Sequence, residues 1–308
     1  MGQRTNFILI IIFHCCSSAL GQSKDTLKSD IEIIDISQKQ LSLMNKYRDI
    51  AVSERNQIFL DSIYRPNAYM WKGYLGNEDK FIKWLNEIAF RELTDYNQKA
   101  IKLDLIKLNK YFNSTVDSMR VLTGLSPKGK WYIFYGPKWT NLGGFSDGTM
   151  LIDLANKYNN KFETIVRFFP HEINHQIYSA TVPTSSKAVL SRILDEGFAC
   201  YVSFLFNQGK TKIFEELDYT KKEYNLCLRN HADIMSIFKQ YYLSTDKNLA
   251  EDFADRSYKF NKKYPGALGY YIGFKIVESY VNHNGKDSWK DIYRLSPEIV
   301  LEKSNILN

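Results

Sequence analysis

Apolar and polar positions follow three regimes along the chain. From Ile31 to about Tyr111 the apolar residues recur at helical spacing, as in Ile58, Phe59 and Ile63, and again in Phe81, Ile82, Trp84, Leu85, Ile88 and Ala89. Pro66-Asn67 and Gly73 to Asn77 interrupt this pattern, and the turn Leu125-Ser126-Pro127-Lys128-Gly129 closes it. The period then changes. Lys130 to Tyr135 is a short aromatic and β-branched run ended by Gly136-Pro137, which predicts a strand. Gly143-Gly144 and Asp147-Gly148 are turn signals, and Thr149 to Leu154 reads as a second strand. Helical spacing returns in Ala188 to Phe206, in one or two helices from Lys212 to about Tyr242, and in a short helix through Arg256. Tyr264-Pro265-Gly266 is a hinge before an apolar helix from Ala267 to Val281, and Asn284-Gly285 is a turn before two short helical pieces. There is no internal repeat. The pattern predicts a mostly α fold with a small β-sheet (α+β). A helical N-terminal region (31–125) precedes a region (126–308) that holds the sheet and the C-terminal helices.

One segment is ambiguous. The apolar spacing Phe162, Ile165, Val166, Phe169, Ile173 runs straight through Pro170. Either a helix starts at Pro170, where proline is tolerated, or a helix from Phe162 bends there. The unbroken spacing favours the bent helix, with the Val166 carbonyl left without its helical donor.

Composition adds limits. The chain has 308 residues, 44% hydrophobic and 24% charged, which suits a folded protein with a sizeable core and argues against disorder. Its first residues, MGQRTNFILIIIFHCCSSALGQS, combine Arg4, a short apolar run from Phe7 to Phe13, and the small-x-small site Ala19-Leu20-Gly21. This predicts a signal peptide (1–21), a polar, disordered lead-in (22–30), and export to the periplasm or cell exterior, with surface association open. A lipoprotein reading needs a small residue before the acceptor cysteine, and neither His14-Cys15 nor Cys15-Cys16 fits. No later segment is apolar enough to span a membrane. Removing the signal takes only Arg4 from a net charge of +7, and the basic clusters Lys221-Lys222 and Lys262-Lys263 are mere pairs, so no nucleic-acid partner is expected. Cys200 and Cys227 would remain, as one disulfide or, the favoured reading, as two buried thiols.

The candidate chemistry lies in "FFPHEINHQIY" (168–178). His171 and His175 stand four apart, so on a helix both imidazoles share one face and reach one Zn²⁺. Glu172 between them faces the remaining coordination position, where a carboxylate can take a proton from metal-bound water. Two histidines need a third protein donor, and Glu196 in Leu194-Asp195-Glu196-Gly197-Phe198-Ala199 is available on the next helix. Asp195 either orients a histidine through its other ring nitrogen or is a solvated charge. His231 is a minor candidate for a supporting role, His283 lies in a turn, and Cys200 reads as core.

The histidine pair, followed some twenty residues on by Asp195-Glu196-Gly197-Phe198-Ala199, resembles the gluzincin superfamily of zinc metallopeptidases, with Asp195 where the aminopeptidases have Asn. A nearer likeness, over about residues 130–308, is to bacterial groups of predicted zinc-dependent proteases, through Gly143-Gly144, Pro170 to Gln176, Asp195 to Tyr201 and Pro265 to Val281. The resemblance implies a gluzincin, thermolysin-like metallopeptidase core. In it His171, His175 and Glu196 hold one Zn²⁺ per chain and Glu172 is the general base. Tyr270 or Tyr271 stabilises the oxyanion, with aromatic core packing as the alternative role. Gly143, Gly144, Thr149 and Met150 form an edge for an extended peptide or protein substrate. The function expected on this basis is an exported zinc peptidase, a hydrolase. The competing reading is a catalytically inactive, peptidase-like surface or periplasmic binding protein.

Overall fold

The computed structural model describes residues 30–140, 142–145, 147–159 and 161–307. The predicted signal peptide, Cys15 and Cys16 lie outside them. A mixed sheet has four strands: β1 (Asp30–Asp35), β2 (Lys128–Phe134), β3 (Leu142–Gly144) and β4 (Met150–Asp153). Their order is β1-β2-β4-β3. β1 pairs parallel with β2 from Asp30↔Lys128 to Asp35↔Ile133, and β2 pairs parallel with β4 from Trp131↔Met150 to Phe134↔Asp153. β3 runs antiparallel to β4, with Gly143 opposite Leu151, and forms one edge.

Two strands differ from the sequence reading. Ile31 to Asp35 is β1, not the start of a helix. Six residues are too few to show a 3.6-residue period, and here the pairing with β2 decides. Leu142–Gly144, read as a turn, is paired to β4 across its whole length. The rest of the layout is mostly helical with this small sheet, an α+β arrangement.

Six helices concern the site: α1 (Leu105–Thr123), α2 (Phe162–Arg167), α3 (Phe169–Thr181), α4 (Ala188–Phe206), α5 (Lys247–Ala254) and α6 (Leu268–Asn284). The expected single bent helix across Pro170 is instead two helices that part at Phe168. Pro170 falls in the first turn of α3, where its missing N–H costs nothing, and the Glu172 N–H donates to the Phe168 carbonyl as an opening bond. The apolar spacing persists because both helices bury the same side. Phe112 of α1, Trp131 of β2 and Phe169 of α3 meet with ring centroids 4.6 to 5.4 Å apart, which seats α3 on the sheet.

α4 and α6 cross at backbone contact. A Cβ on Gly197 would sit 2.1 Å from the Gly273 carbonyl carbon, and a Cβ on Gly273 would sit 2.0 Å from the Ile193 oxygen. No side chain fits there, which explains the glycine that follows Glu196. Cys200 and Cys227 are both buried and free, in line with the favoured thiol reading. No helix among the described residues is long and apolar enough to cross a membrane.

The buried Asp153 ends β4 and gathers the loop after β2. Its Oδ1 accepts from the Gly136 and Ala155 N–H groups at 2.8 and 2.9 Å. Its Oδ2 accepts from the Lys138 N–H at 2.7 Å and the Tyr74 hydroxyl at 3.0 Å. Burial pushes this carboxyl up to about 6, and the four donors hold it from rising further, so it is ionised at neutral pH. Asp153→Asn would turn one acceptor toward these donors as a donor. The expected cost is about 2 kcal/mol in a urea titration at pH 7. A variant as stable as the parent would refute this account of the loop.

Candidate metal centre

α3 presents His171 and His175 one turn apart, and α4 brings Glu196 against them. The two Nε2 atoms lie 3.0 Å from each other, and Glu196 Oε2 lies 3.2 and 3.4 Å from them. Three donors of a tetrahedral zinc, each at about 2.0–2.1 Å, stand about 3.3 Å apart, so the triangle fits such an ion. Glu196 Oε2 is buried and has no hydrogen-bond partner among the described residues. Two imidazole nitrogens facing each other beside such an oxygen need a cation or proton between them.

The outer ring nitrogens have their own partners. His175 Nδ1 lies 2.8 Å from Asp195 Oδ1, which leaves Nε2 free to face the triangle, as expected of an orienting carboxylate. His171 Nδ1 lies 3.8 Å from Cys200 Sγ, and that thiol donates to the Glu216 carbonyl at 3.3 Å. Cys200 is core, as read, but it also backs a histidine. On the other side of Glu196, Arg192 Nη1 reaches Oε1 at 2.6 Å. Arg192 also faces Asp195 Oδ2 at 3.6 Å and Glu251 Oε1 at 3.5 Å. Sequence reasoning passed over this arginine, although its place four residues before Glu196 on one helix was a signal.

Charges follow this geometry. Burial opposes the Glu196 carboxylate, but Arg192 and His175 outweigh it and hold the group well below the usual range. Burial likewise opposes charge on His175, yet Asp195 and Glu196 raise it well above the ordinary histidine value. Glu172 is raised, chiefly by burial, with the two histidines pulling the other way. Burial first, then Glu196, pushes the Tyr270 phenol well up, so it stays a neutral donor.

The triangle opens into a cavity of about 500 Å³. Glu172 and Tyr270 line it, and the Tyr270 ring stacks over His171 at 5.9 Å and 27°. Leu142, Gly143, Gly144 and Phe145 form the opposite wall along the edge strand, with Met150 behind. Two expected site residues stand elsewhere. Tyr271 is buried on the far side of α6, its hydroxyl 3.0 Å from His231 Nδ1 and 3.4 Å from the Cys227 carbonyl. Neighbours on a helix point about 100° apart, so only one of the two tyrosines can face the pocket. Thr149 is buried behind the wall, its N–H and hydroxyl taken by Asp147. His283 is exposed and bonded to the Ser279 carbonyl, away from the pocket. Another missed residue is Gln176, which accepts from Trp131 Nε1 at 2.9 Å and donates to the Gly148 carbonyl at 2.7 Å. It ties α3 to the turn that leads into β4.

Comparison with known proteins changes the functional expectation. Residues 155–306 match the family model described as "Gliding motility protein GldB", a lipoprotein family. No curated protein and no solved structure matches the chain. The match is not to a peptidase family, so the gluzincin assignment is corrected, and with it the expected zinc peptidase, its hydrolase chemistry and the role of Glu172 as its base. The physical reason is that two histidines and a carboxylate in such an array could hold an ion without any reaction following. The same donor set serves a protein that only binds as well as one that cleaves. Over residues 155–306, which include His171, His175, Arg192 and Glu196, the chain is similar to the gliding motility protein GldB family.

Proposed function

We propose that this protein is a non-catalytic component of the cell envelope, serving gliding motility, that binds a partner segment at the pocket between α3, α4 and β3. The observation that carries this reading is the family match, which spans the pocket's two histidine-bearing and glutamate-bearing helices. Export through the signal at 1–21 belongs to the same reading. Within the pocket, His171, His175 and Glu196 would hold one Zn²⁺, supported by the donor triangle and the orphaned Glu196 oxygen. The bound ion would supply a Lewis-acidic anchor for a ligand carbonyl or carboxylate. Asp195 and Cys200 fix the histidine rings, and Tyr270 offers a phenol donor beside them. The free side of β3, with Gly143 and Gly144, suits an extended peptide added as a strand. The proposed scaffold is thus peptidase-like in layout and used for holding rather than cutting.

The test is direct. Purified protein should carry about one zinc per chain. Incubated with a mixed peptide library, the zinc-loaded protein should retain peptides and return them intact. Chelator-sensitive cleavage would overturn the reading.

A further inference from the structure

Arg192 makes the shortest ion pair in the pocket, and it makes it with one oxygen of the proposed metal carboxylate. Nη1 stands 2.6 Å from Glu196 Oε1, while Oε2 alone faces the histidine nitrogens at 3.2 and 3.4 Å. The arginine lies one turn before Glu196 on α4, so the helix itself sets this approach. The same Nη1 also faces Asp195 Oδ2 at 3.6 Å, and Nε faces Glu251 Oε1 of α5 at 3.5 Å. Charge-assisted bonds of this length are strong, and Glu196 is buried, so solvent does not compete for Oε1.

We propose that Arg192 is a positioning residue that confines Glu196 to one-oxygen coordination. The site is thereby tuned to a small four-coordinate ion of the zinc type. The inference rests on the metal-binding reading above. A carboxylate can bind an ion through one oxygen or both, and two-oxygen binding raises the coordination number and suits larger, harder cations. With Oε1 committed to the guanidinium, the second oxygen is withheld. The protein donors then number three, two nitrogens and one oxygen, which leaves one open position.

Cobalt(II) is the probe, because four-coordinate cobalt absorbs visible light far more strongly than five-coordinate cobalt. Cobalt-loaded parent protein should show intense visible bands. Arg192→Met should bind the ion with bands weakened about twofold or more as Oε1 enters the coordination sphere. Arg192→Lys, which keeps a cationic donor near Oε1, should restore most of the intensity. If the parent and Arg192→Met give the same intense spectrum, the role of Arg192 is refuted and the metal reading stands. If the parent binds no cobalt or zinc, the metal reading itself fails and this inference with it. Should Arg192→Met not fold, X-ray absorption on the zinc-loaded parent decides. Two nitrogens and one Glu196 oxygen at about 2.0–2.1 Å support the inference, and a second Glu196 oxygen bound to the ion overturns it.

Discussion

Gly197→Ala should lower stability by about 3 kcal/mol, the upper end of the usual cost of overpacking. The added methyl would stand 2.1 Å from the Gly273 carbonyl carbon and 2.2 Å from the Phe274 nitrogen. Both are backbone atoms of α6, so no rotamer change relieves the clash. The two helices must separate, and the apolar side chains packed between them lose contact. In a thermal melt this corresponds to a fall in Tm of roughly 6–12 °C. Gly273→Ala should behave alike, because its methyl would meet the Ile193 oxygen at 2.0 Å. An unchanged Tm in both variants would refute the backbone-contact account. The consequence reaches the pocket, since Gly197 follows Glu196 on α4 and Gly273 lies three residues after Tyr270 on α6.

His171→Ala should reduce zinc affinity by more than about 100-fold, measured by competition with a chromophoric chelator. Loss of an orienting partner alone costs roughly 10- to 100-fold, and loss of a donor costs more. Asp195→Ala supplies the comparison, since it leaves all three donors in place and removes the group 2.8 Å from His175 Nδ1, along with a 3.6 Å contact to Arg192. Its expected cost is about tenfold. A His171→Ala variant with parental zinc affinity would place the ion elsewhere or nowhere. Melts run without metal separate the binding effect from damage to the fold.

Much of the site was legible before the fold. Residues four apart on a helix share a face whatever the surroundings, so His171 and His175 belong together by period alone. Glu196 was found as a carboxylate on the following helix, and the structure brings it to the pair. Gln176 was not found, because its partners Trp131 and Gly148 are distant in sequence. Arg192 was passed over although its spacing to Glu196 was legible, and Cys200 was read as core without its place beside His171. Tyr270 and Tyr271 could not be separated, since their roles depend on how α6 is rotated against α4. The glycine contact at Gly197 and Gly273 sets that rotation. The functional expectation failed for a different reason. Donor residues encode affinity for an ion, whereas turnover depends on the whole site, and the family match over 155–306 points away from a peptidase.

Local period and residue chemistry were enough for the helical runs, the pair of strands before the histidines, and three metal-capable side chains. Tertiary structure alone decided that Ile31 to Asp35 is a strand and that α2 and α3 part at Phe168. It also decided which oxygen of Glu196 faces the histidines and which meets Arg192. Those outcomes rest on pairing and packing between segments far apart in the chain, which local sequence does not encode.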